Sequence, residues 1–111
     1  MRDTSALLIL LVAALLEAGG DALVRAGIHA PASRTRWLLW VLGAAVLFTY
    51  GYVVNAPPWD FGRLLGIYVV FFFVVAQAIA WAAFGQKPDR LVIVGGSFVV
   101  LGGLIMSAGS R

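Results

Sequence analysis

An apolar stretch near the start of the chain, residues 6–24, constrains the fold more than any other feature of the sequence. It is long enough to cross a bilayer, because a helix rises about 1.5 Å per residue and a span needs about 20 residues. The stretch nevertheless carries Glu17 and Asp21. A charged side chain at bilayer depth costs about 2.5–3.5 kcal/mol on insertion scales. We therefore expect this helix to do more than anchor the chain.

The composition of the whole chain also indicates a membrane protein. Hydrophobic residues make up 62% of its 111 residues and charged residues 12%, whereas soluble domains average about a quarter charged. The sequence has no cysteine and one histidine, His29, so we expect no disulfide framework, metal site or cofactor. The formal charge of +3 is the usual loop signal of a multi-pass protein and does not indicate nucleic acid binding. We expect membrane lipid around the chain, in the cell's inner (plasma) membrane.

Proline, glycine and polar clusters divide the sequence into four predicted helices, at about residues 6–25, 37–54, 64–84 and 91–107. The predicted fold is therefore an all-α membrane protein, with a single four-helix transmembrane domain over residues 1–111. We expect a polar connection at residues 26–36, interrupted by Gly27, Pro31 and Ser33. The candidate caps are Asp3, Thr4 and Ser5 for the first helix and Asp89 for the fourth.

Three charged residues share one face of the first helix. Glu17, Asp21 and Arg25 follow each other at i,i+4 steps. In a structural interpretation, Asp21 pairs with Arg25, and Glu17 stays protonated or bonds a neighbouring helix. In a functional interpretation, Glu17 has no basic partner at its depth and holds a proton and a cation in turn, because desolvation favours the protonated form of a carboxyl. Asp21 would then add negative potential, and its titration would be coupled to that of Glu17.

Small and aromatic residues suggest how the helices pack. Gly20, beside Gly19, lets another backbone or a ligand approach the site closely. Two pairs of glycines on the fourth helix repeat at a spacing of seven residues: Gly95 with Gly102 and Gly96 with Gly103. They form a small-residue face that packs either within one subunit or between two subunits of a dimer. We prefer the dimer. The tryptophans near helix ends are typical of an interfacial belt, and the run Phe71–Phe73 is typical of packing bulk or lipid-facing residues.

These residues carry a resemblance to a known family. LLEAGGDALVRAG, with Glu17 and Arg25, resembles the first helix of the small multidrug resistance (SMR) family of the drug/metabolite transporter superfamily. WAAFGQKPDRLVIVGGSFVVLGGLIM, which begins at Trp81, resembles the family's third loop and fourth helix. Around Gly62-Arg63, Tyr68 and Pro88-Asp89-Arg90 the chain is similar to the YnfA-like relatives of that family.

The resemblance implies a dimer, commonly with inverted subunits, whose paired glutamates exchange protons for a cationic small molecule. Glu17 is then the proton and substrate site, and Tyr68 stands where the SMR pattern has a pocket tryptophan. Leu65 replaces a family tyrosine, and Asp21 is acidic where the family residue is not. Trp81 occupies a family position and is a candidate pocket residue together with Gly20 and Arg25.

Three functions remain open at this point. The first is proton-coupled export of cationic or lipophilic small molecules by a homodimer. The second is a flippase component for a lipid-linked or polyprenyl substrate, which needs Arg25 or Arg63 to face the site. The third is a non-transporting partner subunit of a paired SMR-like complex. Lys and Arg divide three against five between the two sides, which weakly favours a self-sufficient homodimer that inserts in both orientations. We do not expect an enzyme, because the sequence carries no nucleophile–base set and no phosphate loop.

Overall fold

The computed structural model describes residues 4–108, and every element in this range is an α-helix. The helices are α1 (Thr4–Ile28), α2 (Ser33–Asn55), α3 (Phe61–Phe84) and α4 (Arg90–Ala108). Each is long and apolar enough to cross a membrane. The prediction of four spanning-type helices is therefore confirmed for the described residues. Thr4 and Ser5, two of the candidate caps, are the first two residues of α1, and the third candidate, Asp3, lies outside the described residues.

The first connection is much shorter than predicted. Instead of a polar segment over residues 26–36, only residues 29–32 separate α1 from α2. Gly27 does not break α1 but lies buried within it, and a Cβ there would come within 2.6 Å of Trp40 Cδ1 on α2. Arg36 Nη2 donates a hydrogen bond of 2.9 Å to the carbonyl of Ala30, which ties the start of α2 to the end of α1. Gly27 therefore serves the contact between α1 and α2 and does not end α1.

Helix α1 lies at the centre of the arrangement. It packs along both α2 and α3, whereas α4 packs chiefly on α3. Glycines allow the closest approach between α1 and α2: a Cβ on Gly20 would lie 2.7 Å from Leu47 Cγ, and one on Gly43 would lie 3.2 Å from the Gly20 carbonyl oxygen. The molecule measures 49 × 35 × 20 Å, so its thinnest dimension is about two helix diameters. Much of the apolar surface of each helix therefore stays uncovered by the chain itself.

The best-packed region lies where α1 begins, α2 ends and α3 begins. Leu10, Val54 and Leu64 are its largest fully buried side chains, and Ile67 and Tyr68 extend it along α3. Burying a Leu or Val side chain fully stabilises a soluble fold by about 1.5–3 kcal/mol, and in lipid close packing itself supplies the stabilisation. Glu17 lies further along α1, where Ala18 and Tyr68 of the same core cluster are next to it.

Both ends of α4 are held by polar contacts. Asp89 Oδ1 accepts a hydrogen bond of 2.9 Å from the Val92 amide, which confirms the predicted cap. At the other end, Arg63 Nη1 of α3 donates to the Met106 carbonyl at 2.8 Å, and a guanidinium is favourable near a helix C-terminus. Gly85 has a left-handed φ of 65° and ends α3, so that the short loop can return to α4.

The glycine stripe of α4 is divided between two faces. Gly96 and Gly103 are buried, and a Cβ on either would collide with an α3 side chain of the same chain. The colliding side chains belong to Phe73 and Val70, respectively. A Cβ on Gly95 or Gly102 would meet nothing within 4 Å. Only Gly95 and Gly102 are therefore left facing outward.

The aromatic residues take part in specific contacts. Trp37 and Trp40 meet edge to face near the start of α2, with ring centroids 5.1 Å apart. Trp59 donates from Nε1 to the Val54 carbonyl at 3.0 Å and so satisfies an acceptor near the end of α2. In the phenylalanine run, Phe71 and Phe72 pack against the core cluster. These contacts favour packing as the role of the run.

Candidate functional site

The Glu17 carboxyl is hydrogen-bonded to a tyrosine from another helix. Tyr68 of α3 donates from its hydroxyl to Glu17 Oε1 over 2.9 Å. Glu17 is half-buried, and within residues 4–108 it forms no ion pair with Lys, Arg or His. A hydrogen bond to an ionised group contributes about 1.5–3 kcal/mol, so the phenol holds the carboxyl without neutralising it. The structure thus brings together two residues that lie 51 positions apart in the sequence.

Two other rings fix the position of the Tyr68 phenol. Tyr68 is only 3% exposed. Tyr50 of α2 stacks on it with ring centroids 5.6 Å apart and planes at 26°, and the Phe72 ring lies 6.3 Å away. Stacked and tilted aromatic pairs each contribute about 0.5–1.5 kcal/mol beyond area burial. The donor that meets Glu17 is therefore held by α2 and α3 together.

Tyr50 is a site residue that the sequence analysis missed. The available signal was a pair of phenols on α2, Tyr50 and Tyr52, in the second half of a largely apolar helix. A buried tyrosine hydroxyl usually finds a partner, and this rule singles out such a residue for attention. The rule does not predict which ring Tyr50 stacks on, because the stacking partner depends on how α2 and α3 pack across α1.

Beyond Glu17, a groove of about 180 Å³ runs between the later halves of α1 and α3. Asp21 and Arg25 line it from α1, and Phe72 and Phe84 line it from α3. Phe72 also belongs to the ring cluster around Tyr68, so the groove begins beside Glu17. Gln86 lines the opposite end, just after α3.

Asp21 and Arg25 do not form the ion pair expected from their spacing. The Arg25 guanidinium carbon lies 5.1 Å from the centre of the Phe84 ring, in a cation–π contact. Within the described residues, Asp21 forms no ion pair and accepts no hydrogen bond. The structural interpretation of this pair is therefore wrong in this conformation, and Asp21 is exposed in the groove.

Two further candidate residues lie outside the groove. Gly20 faces α2, where it contacts Leu47, so it serves helix packing and does not line the site. Trp81 is 54% exposed on α3, with the Lys87 ammonium 5.2 Å from its ring centre. Leu65, at the family's tyrosine position, is half-buried against the core cluster.

The hydrogen bond from Tyr68 leaves part of the Glu17 carboxyl without a partner among residues 4–108. A carboxyl that accepts one hydrogen bond from a neutral phenol keeps its remaining acceptor sites for a proton or a cation. Glu17 meets this condition, and the half-buried Phe72 ring lies beside the Tyr68 phenol that holds it. Among the described residues, no three His, Cys, Asp or Glu side chains come together as a metal site.

Comparison with known proteins gives a consistent result. Residues 4–111 match the family model described as "Uncharacterised BCR, YnfA/UPF0060 family". A UPF0060 membrane protein of Rhodococcus erythropolis is 39% identical over 112 residues, covering 97% of this chain and 99% of that protein. One of Mycolicibacterium vanbaalenii is 42% identical over 106 residues, covering 91% and 93%. One of Clostridium beijerinckii is 26% identical and covers 100% and 99%. No solved structure gives a significant match.

Proposed function

Because the chain belongs to the YnfA/UPF0060 family of membrane proteins, which is related to small transporters of the SMR type, we propose that it exports small organic cations in exchange for protons. The cell's inner (plasma) membrane is the proposed location. The observation that carries this proposal is the Glu17 carboxyl, held by the Tyr68 hydroxyl at 2.9 Å and without a cationic partner among residues 4–108. A transporter needs such a group, because a permanently paired carboxylate would have no capacity left for cargo.

In the proposed mechanism, protons and cargo exclude each other at Glu17. Protonated Glu17 is neutral and does not attract a cation, whereas ionised Glu17 does. If the site faces one side of the membrane at a time, binding of one species requires release of the other on that side, and antiport follows. The glycine contact between α1 and α2 at Gly20 and Gly43 would let α1 shift against α2 while few side chains have to move.

The proposed transporting unit is a homodimer. The outward face of α4 carries Leu91, Phe98 and Ile105 at a spacing of seven, with exposed fractions of 79%, 70% and 66%. Gly95 and Gly102 lie on the same face between them. Large apolar residues that alternate with small ones suit close packing between membrane helices. A second copy would cover this face, and a different small membrane protein could cover it in the partner-subunit alternative.

A flippase for an anionic lipid-linked substrate is the second candidate function. It is favoured by one observation: Arg25 lines the groove, so a guanidinium is available for a phosphate head group. Arg63, by contrast, is engaged at the end of α4. The exposed Asp21 beside Arg25 opposes an anion, and for this reason cation export is the preferred proposal.

The dependence of cation affinity on pH tests the exporter proposal. Calorimetry with pentylammonium on the purified protein in detergent should show affinity rising by up to about tenfold per pH unit while Glu17 is mostly protonated, because each bound cation displaces a proton. The other titratable groups facing Glu17 are Asp21, Tyr50 and Tyr68. Affinity that is unchanged across the neutral range would contradict the proposal, and binding of anionic lipid without cation binding would favour the flippase.

A further inference from the structure

The groove beyond Glu17 contains a charge that the exchange reaction at Glu17 does not use. Asp21 lines this groove and is exposed in it, and within residues 4–108 it has neither a hydrogen-bond donor nor an ion-pair partner. The one cation close to it along α1, Arg25, is directed onto the Phe84 ring. An ionised carboxylate at the membrane boundary needs a countercharge or water. No side chain among residues 4–108 supplies that countercharge.

Asp21 lies one helical turn from Glu17. Positions i and i+4 on a helix are separated by about 6 Å along its axis and lie on the same face. Phe72 contributes to both the ring cluster around Tyr68 and the wall of the groove, and Ala18, the residue after Glu17, lines the groove as well, so the groove adjoins the Glu17 site. Two carboxyl groups thus share one helix face, one in the groove and one next to it.

The walls between the two carboxylates are apolar. Alanine side chains from α1 and α3 and the rings of Phe72 and Phe84 form most of the lining. A bare metal cation is a poor fit, because Mg²⁺ and Ca²⁺ need about six or more oxygen ligands, and Asp21 is the only carboxylate among the described residues that lines the groove. A short alkyl chain fits a volume of about 180 Å³ with such walls.

From this geometry we propose that the cargo is an organic dication, with two ammonium-type charges about one helical turn apart. One charge binds at Glu17 and the other at Asp21, and the chain between them lies along the alanine and phenylalanine walls of the groove. This inference rests on the proposed function, since it assigns Glu17 its cation, and it adds a second subsite and a class of substrate.

A comparison of two matched probes tests the inference. Pentylammonium carries one charge, and pentane-1,5-diammonium carries two on the same carbon chain. Calorimetry on the purified protein in detergent should give a dissociation constant at least about tenfold lower for the diammonium. Asp21→Asn should weaken diammonium binding about tenfold or more and change pentylammonium binding less than about threefold. Asp21→Glu should retain the preference, because it keeps the charge.

The control is a carboxylate outside the groove. Asp60 is at the N-cap position of α3, and its side chain makes no capping hydrogen bond, so Asp60→Asn removes the same charge without removing a contact. We expect this variant to bind both probes as the wild type does. A diammonium preference that persists in Asp21→Asn would overturn the inference, because the second charge would then lie elsewhere. Equal losses for both probes would also overturn it and assign Asp21 a general electrostatic or proton-relay role.

The failure of this inference can be told from failure of the proposed function. If pentylammonium binds, and binding depends on Glu17 but shows no preference for the diammonium, the second subsite is wrong and the exporter proposal stands. If neither probe binds at any pH in the neutral range, both proposals are overturned. Binding of both probes by Glu17→Gln would likewise overturn both, since neither charge would then need that carboxylate.

Discussion

A Glu17→Gln variant will insert and fold like the wild type but will transport cations at least about 100-fold more slowly. The amide has the same shape and can still accept the hydrogen bond from Tyr68, so the contact between α1 and α3 is preserved. It can neither ionise nor bind a proton at neutral pH, so both halves of the exchange are lost. Removing one partner of a desolvated charge interaction costs about 2–5 kcal/mol, or about 30-fold to several thousand-fold, and the loss of both halves of the exchange places the effect above the lower end of this range. The measurement is pH-driven uptake of a radiolabelled organic cation into proteoliposomes.

Two variants serve as controls for this result. Glu17→Asp keeps the charge on a shorter side chain and should retain transport at a reduced rate. Tyr68→Phe keeps the carboxyl and the ring stacking on Tyr50 but removes the donor, and we expect about a tenfold loss. Transport by Glu17→Gln at a rate close to that of the wild type would place the coupling group elsewhere in the molecule.

Substitutions at two neighbouring glycines of α4 should have opposite consequences. A side chain at Gly103 collides with Val70 of α3, whereas one at Gly102 meets nothing within 4 Å. Gly103→Val should therefore destabilise the protomer by about 1–3 kcal/mol or more through overpacking. Gly102→Val should leave protomer stability unchanged and weaken self-association, because it fills the outward face of α4. Thermal unfolding in detergent and dimer content by light scattering separate the two effects.

The comparison has an internal control, because both variants add the same isopropyl group to the same helix. Gly96→Val and Gly95→Val repeat the comparison two turns away, where the colliding side chain is Phe73. If the Gly102 variant unfolds as readily as the Gly103 variant, Gly102 does not lie on an uncovered face of α4. If dimer content is unchanged at Gly102, another surface forms the dimer.

The number of helices and the central carboxyl could be predicted from the sequence because both depend on local properties. Long apolar runs between proline and glycine clusters define spans, and an acid within a run is conspicuous whatever its surroundings. Asp89 was identified as a cap by its position just before an apolar run. Tyr68 was found through a resemblance, and its bond to Glu17 depends on the packing of α1 against α3.

Features that depend on which faces meet could not be predicted in this way. Gly27 was expected to break a helix and instead lies at a helix contact, since glycine favours both outcomes and only the partner, Trp40, decides between them. The spacing of Asp21 and Arg25 permits an ion pair, but the Phe84 ring competes for the guanidinium. The two glycine pairs of α4 share one repeat in the sequence, although α3 covers only Gly96 and Gly103.

The central claim is that H⁺ and an organic cation compete for Glu17. Measuring proton release when the cargo binds tests this claim most directly. Adding an organic cation to purified protein in weakly buffered detergent solution should acidify the medium, by up to one proton per Glu17. The number of protons released per Glu17 should decrease as the starting pH rises, because a smaller fraction of the carboxyl is then protonated. The Glu17→Gln variant should release none. Cation binding detected by calorimetry without any proton release, or equal release from the Gln variant, would contradict the account.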